Sequence, residues 1–296
     1  MTHHITSTQF DVRHVSRVEH DFSSHPALQF DSLRQLALRL HAKSPSLVKF
    51  IEPGAKLDSE FVLASKSYDG RTIDEVFDTL DTPGTWIAIY KAQTDPEFRA
   101  VVNEVIDSAR HLLHGPDSRI VDVDAFVFIS KAPSLTPFHI DRENNFLLQI
   151  HGSKHLSVWN PDDRKAVSEE AVEDWIYLRS LENVKFSEDK LSHAAYDENL
   201  KAGEGIFMPS TSAHMTRTET GSVEDAVSVT IGFVFYTATT KKHANIYAFN
   251  AIIRRLGLTP TPPGKSFALD TCKYMAGFCA SRLLALVGVV KMPRGL

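Results

Sequence analysis

The chain has 296 residues, with 32 Lys and Arg against 37 Asp and Glu, a formal net charge of −5. Hydrophobic residues make up 43% and charged residues 23%, which excludes a disordered chain and fits one large domain, or one domain with a helical appendage. A mildly acidic sequence without a long Lys/Arg block carries no electrostatic footprint for nucleic acid, and no nucleic-acid partner is expected. Cys272 and Cys279, without a CxxC pattern or a neighbouring histidine, offer neither a disulfide framework nor a zinc knuckle.

The first ten residues are polar, include His3, His4 and Thr6, and lack the apolar core of a secretory signal, so a cytoplasmic protein is expected. Asp31 or Ser32 is placed to cap a helix carrying Leu33, Leu36, Leu38 and Leu40, and residues 85–90 (TWIAIY) have the composition of a strand. The clearest helix follows. Asp95 as N-cap, Pro96 at the first helical position and Glu97 in the first turn precede Phe98, Val101, Val102, Val105, Ile106, Ala109, Leu112 and Leu113, spaced at three and four. From residue 120 to about 236, short strands separated by turn residues predict an all-β barrel or sandwich, with strands over 125–129, 137–140, 145–151, 154–159, 205–208 and 226–236. The run QIHGSKHL puts His151, Gly152 and Ser153 at a hairpin turn. Helices are predicted over 244–256 and 266–290, separated by the breaker TPTPPG. The apolar stretch 274–290 is interrupted by Ser281 and Arg282 and falls short of the roughly 20 residues that span a bilayer. It reads as a buried or dimer-forming helix, and no membrane partner is expected.

The informative segment is LTPFHIDRENNFLLQIHGSKHLSVWNP, residues 135–161. In an extended strand residues i and i+2 project to one face, so His139 and Asp141 point together, as two ligands on one edge of an octahedron must. His214 arrives in GIFMPSTSAHMT, just after a strand ending in Met208 and Pro209. Two histidines and a carboxylate with the other positions open form the facial arrangement of non-haem Fe(II) oxygenases. Zinc is the rival metal, although a structural zinc site wants four protein ligands, usually including Cys, and none is near. Taken singly, His139 reads equally as a core histidine, Asp141 as a loop cap and His214 as a surface residue; the set gives them weight. Lys154 lies just after the hairpin, on the same strand face as Leu156 and Val158. A lysine facing into a barrel is costly unless its charge is matched, and a bound dicarboxylate would match it.

Residues 120–236 resemble the cupin-like Jumonji C family of Fe(II)/2-oxoglutarate-dependent oxygenases, in particular the branch containing the asparaginyl hydroxylase of hypoxia-inducible factor. The matching features are Thr136 three residues before His139, the HxD pair, Asn145 and Phe146, the QIxGxK hairpin, and Pro209 followed after four residues by His214. The resemblance implies a mainly β fold, a double-stranded β-helix or jelly-roll core with helical flanks. It implies that His139, Asp141 and His214 hold Fe(II), that Lys154 pairs with the distal carboxylate of 2-oxoglutarate assisted by Thr136, and that Asn145 sits beside the metal and the 1-carboxylate. The implied reaction is hydroxylation of a C–H bond on a peptide, protein or small-molecule substrate, with succinate and CO2 as co-products. A cupin-like core over 120–240 would carry an N-terminal helical and mixed region (1–119) and a C-terminal helical region (241–296). Related hydroxylases dimerise through C-terminal helices, which makes Phe278, Leu283, Leu284, Leu286 and Val290 a candidate homodimer surface. The alternative is a non-catalytic cupin-fold protein that senses a small carboxylate.

Departures from the asparaginyl hydroxylase pattern fall at the substrate rim. Gly232 stands where it has a second Asn, Leu147 replaces a pocket aromatic, and Ser212 and Ala213 replace an aromatic pair. His151 and His155 are expected to face outward, Trp159 to pack the core, and Arg142 and Glu143 to be a solvated loop or to touch substrate. His193, Tyr196 and Asp197 lie in an insertion and receive no role.

Overall fold

Strand-forming sequence extends well outside residues 120–236. In a computed structural model, which describes residues 3–51, 71–218 and 227–286, the chain runs β1 (Ile5–Thr6), β2 (Ser16–His20), α1 (Phe30–Lys43), β3 (Val48–Ile51), α2 (Ile73–Asp78), β4 (Trp86–Ile89) and α3 (Pro96–Ala109). It continues through β5 (Val121–Ser130), β6 (Ser134–Ile140), β7 (Asn144–His151), β8 (Ser153–Val158), α4 (Glu169–Leu178), β9 (Tyr196–Lys201), β10 (Glu204–Met208), β11 (Ala213–Thr218) and β12 (Ser228–Tyr236), and ends in α5 (Ala238–Arg255) and α6 (Phe267–Leu286). The described strands form an eight-stranded sheet in the order β1-β2-β10-β7-β12-β5-β4-β3 and a four-stranded sheet in the order β6-β11-β8-β9. The fold is a mainly antiparallel jelly roll with helical flanks, as expected.

Four strands from residues before 120 belong to the larger sheet, which therefore crosses the boundary drawn at 119. Both faces of this sheet are covered. Phe146 and Leu148 of β7 point away from the smaller sheet and pack with Leu33, Leu36 and Leu40 of α1 and Phe98, Val101 and Val105 of α3. Leu147, between them in sequence, packs on the other side with Leu156, Val158, Leu200, Ile206 and Met208, between the sheets. That double coverage explains why β7 reads as an apolar run rather than an alternation.

The α3 signals hold. Asp95 caps the helix by accepting from the Glu97 and Phe98 amides at 3.1 and 3.0 Å, and Arg39 of α1 grips the same carboxylate at 2.7 and 3.0 Å. Helix α1 starts slightly earlier than its expected cap: Gln29 is the N-cap, and Asp31 sits in the first turn, where its charge favours the helix dipole. Neither Asp31 nor Ser32 makes the cap.

At the other end α6 lies on α5. A Cβ at Gly277 would stand 2.1 Å from the Asn245 carbonyl oxygen, so only glycine permits this approach. Gly277→Ala is expected to cost about 1–3 kcal/mol through overpacking, read as a lower melting temperature; an unchanged melt would mean the two helices are not seated this way. The side chains of Leu283, Leu284 and Leu286, and Val290 itself, lie outside the described residues, as does residue 226 of the predicted last strand. Among the described residues, no helix is long and apolar enough to cross a membrane.

Candidate metal and carboxylate site

The smaller sheet builds the site by register. His139 pairs directly with His214 across β6 and β11, while Thr136 pairs with Thr216, so β6 uses three residues where β11 uses two. This is a β-bulge, and it contains Pro137, which has no N–H to give the ladder. The bulge turns Thr136 onto the same face as His139; in a regular strand, residues three apart face opposite ways. The ladder from β11 to β8 is regular, pairing His214 with Val158 and Thr216 with Leu156. His139, His214, Thr136, Leu156, Val158 and Lys154 therefore share the face that looks into the space between the sheets.

His139 and His214 are buried, with ring centroids 4.1 Å apart. The half-buried Asp141, immediately beyond β6, lies 3.6 Å from His214 Nε2 through its Oδ2. One ligand atom from each of the three lies within 4.8 Å of the others. His139 Nδ1 is 2.7 Å from the Pro137 carbonyl and His214 Nδ1 is 3.1 Å from the Ser212 carbonyl. A carbonyl only accepts, so each Nδ1 carries the proton and each Nε2 keeps its lone pair for a metal. Burial, and next the charge of His214, lowers the His139 pKa to about 4, so at neutral pH this ring is in the neutral, ligating form.

The turns that carry Asp141 and His214 are tied together. The Thr211 amide donates to the Asp141 carbonyl at 2.8 Å, Ser210 Oγ donates to the Arg142 carbonyl at 2.8 Å, and the Ser210 amide donates to Asn144 Oδ1 at 2.9 Å. Asn144 Nδ2 in turn donates to Thr240 Oγ1 of α5 at 3.0 Å. The Asp141 backbone is thus fixed while its carboxylate stays available.

Lys154 is 5% exposed. Among the described residues its ammonium makes no hydrogen bond or ion pair, and burial alone lowers its pKa to about 8. It stands four residues along β8 from Val158, the partner of His214, which is about 13 Å of strand. Asn145 enters the same interior from β7, buried, with Oδ1 lacking a partner among the described residues. A Cβ on Gly232 would come within 3.3 Å of that oxygen and 3.8 Å of Leu147, so Gly232 leaves the space around Asn145 open.

The remaining candidates separate from the site. His155 lies on the opposite face of β8, 2.9 Å from Asp197 and 3.2 Å from Asn199. His151, at the end of β7, stacks on Phe30 at 5.0 Å. Trp159 is fully buried, with Nε1 donating to the Lys190 carbonyl at 2.7 Å. His193 pairs with Asp163 at 2.6 Å, and Tyr196 packs between the sheets beneath the Arg17 guanidinium. Arg142, read as a possible solvated loop residue, is buried, and Glu143 accepts from the Tyr236 hydroxyl at 2.7 Å. Their place directly after Asp141 had marked both as a solvated loop or as substrate contacts, whereas no local pattern marked the Asn144–Ser210 clasp.

A second group, His3, His25 and Glu104, also brings ligand atoms within 4.8 Å. Here His25 Nδ1 accepts from the Ala27 amide at 3.1 Å, so Nε2 carries the proton and faces Glu104 at 3.3 Å. With His3 Nδ1 hydrogen-bonded to the same carboxylate at 2.9 Å, Glu104 is already held between two histidines.

The family profile for the cupin-like domain matches residues 38–241, more than half of the chain. The chain belongs to the cupin-like domain family. No curated protein sequence matches it. Among solved structures, the ribosomal oxygenase YcfD from Escherichia coli is similar at 14% identity and a TM-score of 0.47, with 100% of this chain and 69% of that one covered. Its complex with cobalt and 2-oxoglutarate is similar at 14% identity and a TM-score of 0.41, covering 95% of this chain and 63% of that one. SnoK, a non-heme alpha-ketoglutarate-dependent carbocyclase from nogalamycin biosynthesis, is similar at 15% identity and a TM-score of 0.44, covering 75% and 78%.

Proposed function

We propose that the protein is an Fe(II)- and 2-oxoglutarate-dependent oxygenase, a hydroxylase of a protein side chain or a small molecule. The observation that carries this reading is the pairing of two features on one interior face: the His139–Asp141–His214 group, and a buried lysine without a partner among the described residues about 13 Å along the strand. Two imidazoles, each with Nδ1 turned to a backbone carbonyl, and one carboxylate suit Fe(II) and leave coordination positions open for small ligands. A dicarboxylate that chelates the metal at one end presents its other carboxylate toward Lys154, where an ammonium in a low-dielectric interior binds an anion strongly.

In this reading Thr136, brought to the shared face by the bulge, adds a hydroxyl donor to the same carboxylate. Asn145 supplies a neutral amide near the metal that orients a ligand without adding charge. Iron held there would supply the O2 chemistry: O2 and 2-oxoglutarate would be consumed together, one oxygen atom going into succinate as CO2 is lost and the other into the C–H bond of the substrate. The chain's own part is to fix both ends of the co-substrate and keep bulk water from the interior face.

Anaerobic titration of the protein with Fe(II) and then 2-oxoglutarate tests this. A visible charge-transfer band that forms in the native protein and not in His139→Ala is the expected result. Bound metal without a band, or a band undiminished in His139→Ala, would overturn it.

A further inference from the structure

Arg142 directly follows the ligand Asp141, and it is 1% exposed. Its Nε, Nη1 and Nη2 atoms have no acceptor among the described residues. A guanidinium carries five N–H donors in a rigid fork and does not deprotonate in a protein, so burying it without acceptors is costly. Around it stand Glu143, Arg179 and Tyr236. Burial lowers the Arg179 pKa, and next to burial the charge of Arg142 does so, while burial and next the charge of Asp141 raise the Glu143 pKa against the smaller opposing effect of the two arginines. Glu143 is already engaged by the Tyr236 hydroxyl. Arg179, in left-handed backbone (φ 64°), caps the C-terminus of α4. Arg179 is exposed and Asp141 and Glu143 are partly so; the buried fork therefore lies just beneath a wetted surface.

Its place along the strand separates it from the co-substrate end. Strand β6 runs from Ser134 and Thr136, on the Lys154 side, through His139 to Asp141 and Arg142. Lys154 and Arg142 therefore lie on opposite sides of the ligand group. Resting on the reading of the site given above, we infer that Arg142, supported by Arg179, receives a carboxylate of the substrate to be oxidised. A planar carboxylate matches the guanidinium fork in a bidentate pair.

The test uses the anaerobic complex with Fe(II) and saturating 2-oxoglutarate. Its band reports the co-substrate site, so a missing band would be a failure of the oxygenase reading, and a band without acid binding a failure of this inference alone. Four probes are titrated and followed by melting temperature: N-acetylglycine, its amide, acetyl-alanyl-aspartyl-alaninamide, and the asparaginyl form of that peptide. Inorganic phosphate is the fifth. An acid is expected to bind and its amide not; a response to N-acetylglycine alone assigns a small acid, and one to the aspartyl peptide assigns an acidic residue of a polypeptide. Arg142→Gln is expected to weaken that binding at least about tenfold and Arg179→Gln by less, with the band unchanged in both. Equal binding of acid and amide, binding of phosphate only, no binding at all, or undiminished acid binding in a folded Arg142→Gln would overturn the inference. Should Arg142→Gln fail to fold, unchanged acid binding in the exposed-site variant Arg179→Gln overturns it.

Discussion

Asp141→Ala is expected to abolish Fe(II)-dependent 2-oxoglutarate turnover while leaving the fold intact. The side chain is 34% exposed, and its contact with His214 is 3.6 Å long. The structural link at this position is made by the backbone carbonyl, which accepts from the Thr211 amide and survives the substitution. Removing the carboxylate therefore subtracts a ligand and little else. Changing groups that merely orient ligands costs about 10–100-fold in metal affinity, so losing a ligand is expected to cost roughly a hundredfold or more. The same point can be read without turnover. Metal at a hundred times its dissociation constant stabilises a folded protein by about 2.7 kcal/mol, so Fe(II) should raise the melting temperature of the native protein and leave that of Asp141→Ala unchanged. Full succinate production in the variant, or equal stabilisation of both proteins by metal, would refute the ligand assignment. His139→Ala makes a less clean comparison, because it also empties a buried site.

How much of this was legible in the sequence follows from which forces act locally. The α3 start was readable because a cap, a proline and a three–four apolar repeat all act within a few residues. The shared face of His139 and Asp141 was readable because strand period is two. Strand period alone puts Thr136 on the wrong face; the bulge at Pro137 corrects this, and its position depends on pairing with β11, which lies about 75 residues away in sequence. Strand β11 itself carries His214 yet has small and polar residues, AHMTRT, with no apolar alternation to announce it. Strand β4 was readable from the β-branched and aromatic run TWIAIY, whereas the short strands β1 to β3 were missed because their stability comes from joining the larger sheet, not from their own composition. Arg142 shows the limit most clearly. In sequence it is a polar residue in the loop RENN, and its burial arises only when the turn beyond β6 is clasped by Ser210 and covered by the residues around Tyr236.

Lys154→Met is expected to destroy 2-oxoglutarate binding and at the same time to stabilise the ligand-free protein. The ammonium is buried, no acid offsets it among the described residues, and its pKa is lowered to about 8 from an ordinary value of 10.5. Below about pH 8 both the folded and the unfolded chain hold the proton, and the folded protein bears the full cost of a buried charge. Between about 8 and 10.5 the unfolded chain binds more protons than the folded one, so stability rises with pH and this cost is relieved. The shift corresponds to about 3 kcal/mol. Methionine fills a similar volume without the charge, so at pH 7 the variant should melt higher than the native protein. Its stability should also lack the native rise above pH 8. Co-substrate affinity runs the other way: a carboxylate needs the charged lysine, so binding to the native protein should be flat below about pH 8 and weaken above it. Metal binding should be untouched in Lys154→Met, since the lysine lies four residues of strand from the His214 register. Calorimetric titrations of Fe(II) and of 2-oxoglutarate, paired with melts at pH 7 and pH 9.5, separate these effects. Loss of metal and co-substrate binding together, or a lower melting temperature at pH 7, would show that Lys154 supports the fold rather than a ligand.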